Sequence, residues 1–317
     1  MTEIEADKKD RWEKELLEKL VFTSLQEQRR ARNWGIFFRL LTFSYLFVLF
    51  FWALGWFDSD AVSVSDKHTA LVDLRGEISA EGLSSAENIK TGLKNAFRHR
   101  NTAGVILRIN SPGGSPVQAG AINDEIYRLR AQHPDIPFYA VVEDICASGG
   151  YYIAVAADKI FVDKASVVGS IGVIMNGFGF TGTLEKLGVE RRLLAAGENK
   201  GFLDPFSPSN PKQRQHATRM LTEIHQQFIN VVQKGRGDRL QDDPQIFSGI
   251  VWTGEQSIVL GLTDALGDVD YVAREIIQAD RIVDFTSQEG LLDRFAKRFG
   301  QVVASVLIGF ESSLQLR

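Results

Sequence analysis

Cysteine is all but missing from this 317-residue chain: Cys146 stands alone, so no disulfide forms within one copy and the fold must rest on a packed core. Proline is scarce, with eight residues, and 28 glycines are too few for a collagen-like or low-complexity chain. There is no basic excess either. A formal charge of −4 argues against a domain that neutralises phosphates, and no nucleic-acid partner is expected. His-Glu-x-x-His is absent, and a single cysteine with His216 and His225 far apart along the chain supplies no zinc set. No metal and no cofactor are expected. What is present, 44% hydrophobic and 24% charged residues, is the composition of an ordered globular chain rather than a disordered one.

One segment departs from that average. Leu40 to Phe57 carries no formal charge and is dominated by Leu, Phe and Trp, long enough to cross a bilayer. If Arg39 snorkels, the span begins near Trp34, giving an anchor over 34–57. A cleaved signal sequence is the poorer reading, because the apolar run is long, starts well inside the chain and lacks a small-x-small cleavage pattern. Arg29, Arg30, Arg32 and Arg39 precede the span, whereas Asp58, Asp60 and Asp66 follow it. That asymmetry places the amino end in the cytosol and the bulk of the chain on the far side. Trp34, Trp52 and Trp56 sit near the ends of the span, where amphipathic rings prefer the headgroup zone. Residues 1–33 hold eight basic and eight acidic side chains. Leu16, Leu17, Leu20, Val21 and Leu25 recur there at helical spacing, which predicts a charged, partly helical tail. Residues 58–68 read as a linker.

From Thr69 onward short apolar runs alternate with helix-period segments, the pattern of an α/β domain with a parallel sheet. Strands are expected at 70–74, 104–109, 138–142, 159–163, 172–176 and 190–194. Helices are expected at 87–97 and 151–157. Ser115-Pro116 opens another, carrying Val117, Ala121, Ile122, Ile126 and Leu129 on one face. Pro211 opens a long helix, striped by Ala217, Met220, Leu221, Ile224, Phe228, Val231 and Val232 and stopped at Gly235-Arg236-Gly237. Residues 281–317 form an extension in which Leu291 to Phe310 has a helical apolar stripe.

Two strand–glycine turn–helix units stand in succession, at Asn110-Ser111-Pro112-Gly113-Gly114 and Cys146-Ala147-Ser148-Gly149-Gly150. In a parallel sheet such turns meet at one edge, where ligands of these sheets bind. Ser148 is either a nucleophile presented beside unpaired amides of a helix start or a plain N-cap, and its local sequence leaves both open. Gly113 and Gly114 can turn the chain tightly and expose backbone N–H groups at the same time. None of His68, His99, His133, His216 and His225 lies in a glycine turn, so no histidine base stands out. Cys146 reads as a buried small hydrophobe. Gly177-Phe178-Gly179-Phe180-Thr181-Gly182 formally matches G-x-G-x-x-G, but bulky Phe intervenes and no helix is expected to open on the last glycine.

Four blocks together resemble the short-form bacterial signal peptide peptidase A group of the S49 serine peptidases: Asn110 to Gly114, Ala147 to Ala154, Gly169-Ser170-Ile171-Gly172-Val173, and Gly197 to Phe206. Trp252 to Gln256 and Gly261 to Asp264 look like that family's C-terminal segment. The resemblance implies a Clp protease and crotonase-like fold of ββα repeats over 69–280, behind a single N-terminal transmembrane helix. It also implies a location at the bacterial inner membrane with the catalytic domain outside the cytoplasm. By the same resemblance Ser148 is the nucleophile and Lys200 the general base, Ser170 orients the lysine, and the Gly114 and Gly149 amides form the oxyanion hole. Substrates would be remnant signal peptides and other unfolded or membrane-released peptides, and the site would be shared between protomers of a homo-oligomer.

A lysine in water has a pKa of about 10.4, so a lysine base has to be desolvated; Phe202, Leu203 and Phe206 are the nearby apolar side chains. Taken alone, Lys200 reads as a surface lysine. Cys146, and Ser248-Gly249-Ile250 without a following arginine, depart from the family pattern. Two other readings fit the glycine turns, a crotonase-like acyl-CoA enzyme and an inactive anchored scaffold.

Overall fold

The computed structural model describes residues 29–30, 32–51 and 67–287, and the chain divides into two units, Met1–Ser63 and Val64–Arg317. In the first, α1 (Arg32–Phe51) is a 20-residue helix, apolar and long enough to cross a membrane. Its large side chains from Trp34 to Phe50 are exposed. The remainder of the expected span, the helix expected around Leu16–Leu25 and the stripe from Leu291 to Phe310 lie outside the described residues.

The second unit is built on β-branched and aromatic runs that pair as a mostly parallel sheet. Its strands are β1 (His68–Arg75), β2 (Thr102–Ser111), β3 (Phe138–Ala147), β4 (Lys159–Val162), β5 (Val167–Gly169), β6 (Val251–Thr253), β7 (Ala265–Leu266) and β8 (Ile282–Asp284). The order is β6-β5-β3-β2-β1-β8, with β4 pairing β3 and β7; β6 alone runs antiparallel, against β5. Side chains alternate faces. Ala70, Val72 and Leu74, Val105, Leu107 and Ile109, and Phe138, Ala140 and Val142 enter one buried cluster. Leu71, Ile106 and Val141 enter a second on the opposite face. Burial on both faces is why these strands read as unbroken apolar runs. Towards the strand ends the second face turns polar, where Arg108 meets Asp73 through two bonds of 2.5 and 2.6 Å and Arg75 reaches Glu143 at 3.0 Å.

The helices that cover the first face begin where their caps dictate. Ser85 accepts from the Asn88 amide to open α2 (Ala86–Arg98), and Ser115, followed by Pro116, accepts from Gln118 to open α3 (Pro116–Gln132). Ile122, Ile126 and Leu129 are buried on α3 as expected, but Val117 is 77% exposed, because the first turn projects past the sheet edge. Further helices are α4 (Gly149–Ala154), α5 (Thr181–Lys186), α6 (Pro211–Arg236) and α7 (Gly254–Val259). Thus α4 starts two residues earlier than 151 and is shorter than expected. The segment 172–176 forms no strand; the strand comes earlier, as β5, and the chain then leaves the sheet. Residues 190–194 form no strand either and are exposed, since there is no neighbouring edge for them to pair with. A six-residue helix, α5, does form at the end of the glycine-phenylalanine run, but it opens at Thr181, one residue before the last glycine, and no strand precedes it.

Helix α6 is fastened to the sheet layer at its C-terminal end. A side chain at Gly235 would run into the Val155 carbonyl, so glycine there permits backbone contact between α6 and the end of α4. Arg236, with a side chain 1% exposed, makes two bonds to Asp264 at 2.8 and 3.0 Å and donates to the Gly261 carbonyl. Burial alone would raise the Asp264 carboxyl, but the hydrogen bonds and charge of Arg236, with the Ile160 amide, hold it below the usual carboxylate range. Arg236→Ala should therefore destabilise the domain by about 3–5 kcal/mol in urea unfolding, the cost of stranding a buried partner. A depressed carboxylate stabilises the fold above its unfolded pKa and loses that contribution as pH falls through the folded value. The stability gap between wild type and Asp264→Asn should accordingly be full above about pH 5 and shrink below about pH 4.

Candidate active site

Ser148 occupies the junction of β3 and α4 with φ 51° and ψ −122°, a conformation that costs a non-glycine residue about 1–3 kcal/mol. Its backbone is held on both sides. The Ser148 N–H donates to the Gly169 carbonyl and its own carbonyl accepts from the Tyr152 N–H, both at 2.9 Å. The hydroxyl makes no capping bond to α4, which removes the plain N-cap reading. A half-buried alcohol on a strained strand-to-helix turn is an arrangement that presents a nucleophile.

The preceding glycine turn lies directly against it. Gly113 and Gly114 have φ of 103° and 147°, and Gly114 bridges Ile78 in parallel fashion. A side chain at Gly113 would come within 2.7 Å of the Gly149 nitrogen and of Ser148 Cβ. One at Gly149 would lie 3.3 Å from the Gly114 nitrogen. Among the described residues neither the Gly114 nor the Gly149 amide donates a hydrogen bond. Two unpaired N–H groups a few ångströms apart beside a hydroxyl are what a developing oxyanion requires.

Ser170 belongs to the same edge. The Gly169 carbonyl that holds Ser148 is followed by Ser170 at φ 51°. The Ser170 N–H donates to Ile250 and its carbonyl accepts from Gly172, each at 2.9 Å. The next carbonyl, of fully buried Ile171, accepts from His225 Nε2 on α6 at 3.0 Å. The antiparallel pairing of β5 with β6 fixes the backbone at Gly169, to which Ser148 is bonded and which Ser170 follows, and Trp252 of β6 packs on Gly169.

Ser148, Ser170, Gly114 and Gly149 come together; Lys200 does not join them. It sits in an exposed turn, its N–H bonded to the Gly197 carbonyl, and among the described residues no hydrogen bond links its amine to either serine. The side chains expected to cover it are engaged elsewhere. Phe202 packs edge-on against His216 at 5.8 Å and Phe206 stacks on Phe180 at 5.4 Å. Within one chain Lys200 is therefore hydrated. The stretch that carries it, from Ile174 to Phe206, is almost wholly exposed despite its apolar content, with Phe178 at 80% and Leu194 at 97%. Its base is pinned to the start of α6, where Gln213 accepts from the Leu203 N–H at 3.1 Å.

Cys146 is fully buried, and burial pushes its thiol up from the ordinary value, so it is no nucleophile at neutral pH. Sequence reasoning missed His225, because a histidine on a helix stripe gives no sign of which backbone carbonyl it will meet.

The model of the family described as Peptidase family S49 matches residues 130–282, a stretch that contains both serine turns and Lys200. Over 230 residues the chain is 30% identical to the "Putative signal peptide peptidase SppA" of Enterococcus faecium, covering 70% of this chain and 66% of that one. A "Putative protease" of Synechocystis sp. is 31% identical over 202 residues, 63% of this chain and 70% of the relative. A Na(+)/H(+) antiporter NhaA of Brucella melitensis is 40% identical over 242 residues, or 74% of this chain, and the match spans 33% of that protein's length. Relatives aligned along most of the sheet domain, and a family match that runs through both serine turns, make this chain a member of peptidase family S49.

Proposed function

We propose that the chain is a membrane-anchored serine endopeptidase whose active sites are completed between copies. The observation that carries this reading is the strained Ser148 turn, its hydroxyl uncapped and flanked by two unpartnered amides. Ser148 Oγ attacks the carbonyl carbon of a peptide, and the oxygen takes up the negative charge beside the Gly114 and Gly149 N–H groups. A neutral Lys200 amine accepts the Oγ proton and passes it to the departing amine. Water then cleaves the acyl-enzyme by the same route in reverse. Ser170 orients the lysine.

The hydrated position of Lys200 supports a second copy as its partner. A lysine in water stays protonated at pH 7 and becomes a base only where apolar surface covers it. The segment that bears it offers that surface, through Ile174, Phe178, Leu187 and Leu194, a patch of the kind that marks a protein–protein contact. Docking of this segment on a neighbour would bury its apolar side chains and bring Lys200 to a Ser148 at once. Helix α1 anchors the protein, and the arginines before it place the amino end in the cytoplasm and the catalytic domain outside it. Remnant signal peptides and other unfolded, membrane-released peptides are the substrates that the family resemblance and the Enterococcus relative favour.

Ser148→Ala and Lys200→Ala should each reduce peptide cleavage by about a thousandfold or more while leaving the solution mass unchanged; full activity in either variant would remove the mechanism. Co-assembling the two inactive variants should restore part of the activity, because a Ser148 from one copy then meets a Lys200 from the other, whereas a site contained in one chain would stay silent. Leu194→Asp combined with Phe178→Asp should shift the solution mass towards the monomer and abolish cleavage. A reporter fused after Gly300 should behave as exported, and cytosolic behaviour would reverse the orientation.

A further inference from the structure

We propose that His225 is a positioning residue of this active site: from α6 it fixes the Ile171 carbonyl, and with it the turn that aims Ser170. The inference rests on the reading of Ser148 and Ser170 as parts of one catalytic site. A carbonyl oxygen only accepts, so the 3.0 Å contact requires the proton on Nε2. Ile171 is fully buried, and among the described residues no other donor reaches its carbonyl. Without His225 that buried acceptor would lose its protein partner.

The turn is strained, and its hold weakens beyond Ser170. Gly169 and Ser170 both have positive φ, at 110° and 51°. The Ser170 carbonyl is tied only to the Gly172 amide two residues on, and beyond that point the chain leaves the sheet. Besides the ladder pairing of β5, three bonds hold this strained stretch: the Ser148 N–H to the Gly169 carbonyl, the Ser170 N–H to the Ile250 carbonyl, and His225 Nε2 to the Ile171 carbonyl, the last being the one made by a side chain.

The helix that carries His225 also touches the other parts of the site. One turn further along, Phe228 packs on Tyr152 of α4 at 5.1 Å, and Gly235 lies against Val155. Towards its start, Gln213 and His216 hold the base of the Lys200 segment. His225 is therefore the point at which α6, already bound to the nucleophile helix, sets the height of the Ser170 turn relative to Ser148.

The test compares wild type, His225→Leu, which removes the donor, and His225→Gln, which keeps an N–H near the Nε2 position, with Ser148→Ala as control. Steady-state cleavage is read together with hydrogen exchange at the Gly172 amide, which does not depend on activity. Expected for His225→Leu are a kcat at least tenfold lower, a KM within twofold of wild type, and faster Gly172 exchange; His225→Gln should recover at least a third of kcat and slow the exchange again. If His225→Leu fails to fold, His225→Asn, with the same amide one carbon short, takes its place. The proposal is overturned if the donorless variant keeps more than half of kcat, if Gly172 exchange is unchanged, or if His225→Gln is as impaired as His225→Leu. Should Ser148→Ala remain active, the peptidase reading falls instead, and the exchange measurement alone decides whether His225 holds the turn.

Discussion

The contact on which the catalytic edge depends is backbone against backbone: the Gly113-Gly114 turn lying on Ser148-Gly149 with no side chain between them. A Cβ at Gly113 would overlap the Gly149 amide and Ser148 Cβ, so the spacing of the two strand-to-helix turns follows from the absence of atoms. Strain at Ser148 persists because the flanking groups over-determine it. Its N–H and carbonyl are both bonded, to β5 and to α4, and the apolar layer beneath Tyr151 and Ile153 is fully buried. Relaxing φ would break those bonds before it relieved the strain. The same geometry leaves two amides unpaired beside an alcohol, so the turn's structural and chemical roles have one cause.

Helix α6 supplies the second constraint. Its C-terminal turn is bound through Arg236 and Asp264, its middle through His225 and Phe228, and its first turns through Gln213 and His216. A single rod thus touches helix α4 behind Ser148, the Ser170 turn and the base of the lysine-bearing segment. Beyond that base the physics changes. From Ile174 to Phe206 the chain carries large apolar side chains that one copy does not bury, and the lysine it presents is hydrated. Apolar exposure and a hydrated lysine lie on the same segment, and the proposed docking of a second copy would cover both.

Strands β1 to β4, the helices α2, α3 and α6 and the membrane-length helix α1 were legible because each has a local cause, whereas the short strands β5 to β8 were not. Period-2 burial, Ser85 and Ser115 at N-caps, Pro116 and Pro211 at first turns, and an uncharged apolar run all act within a few residues of themselves. Strands at 172–176 and 190–194 failed for the complementary reason. A short run with apolar residues becomes a strand only if an edge stands beside it, and in this fold β6 takes the edge of β5 at 167–169 while the chain departs.

The amino-acid order by itself determined the α/β pattern, the two glycine turns and the apolar helix, since these rest on spacing and on side-chain type. Only the tertiary structure decided that Ser148 forgoes its cap, that Ser170 stands beside it, that His225 meets the Ile171 carbonyl, and that Lys200 stays apart within one chain. Those outcomes depend on distances between segments far apart in the chain, which are set by which strand edges pair and which helix faces are buried, and no local pattern encodes them.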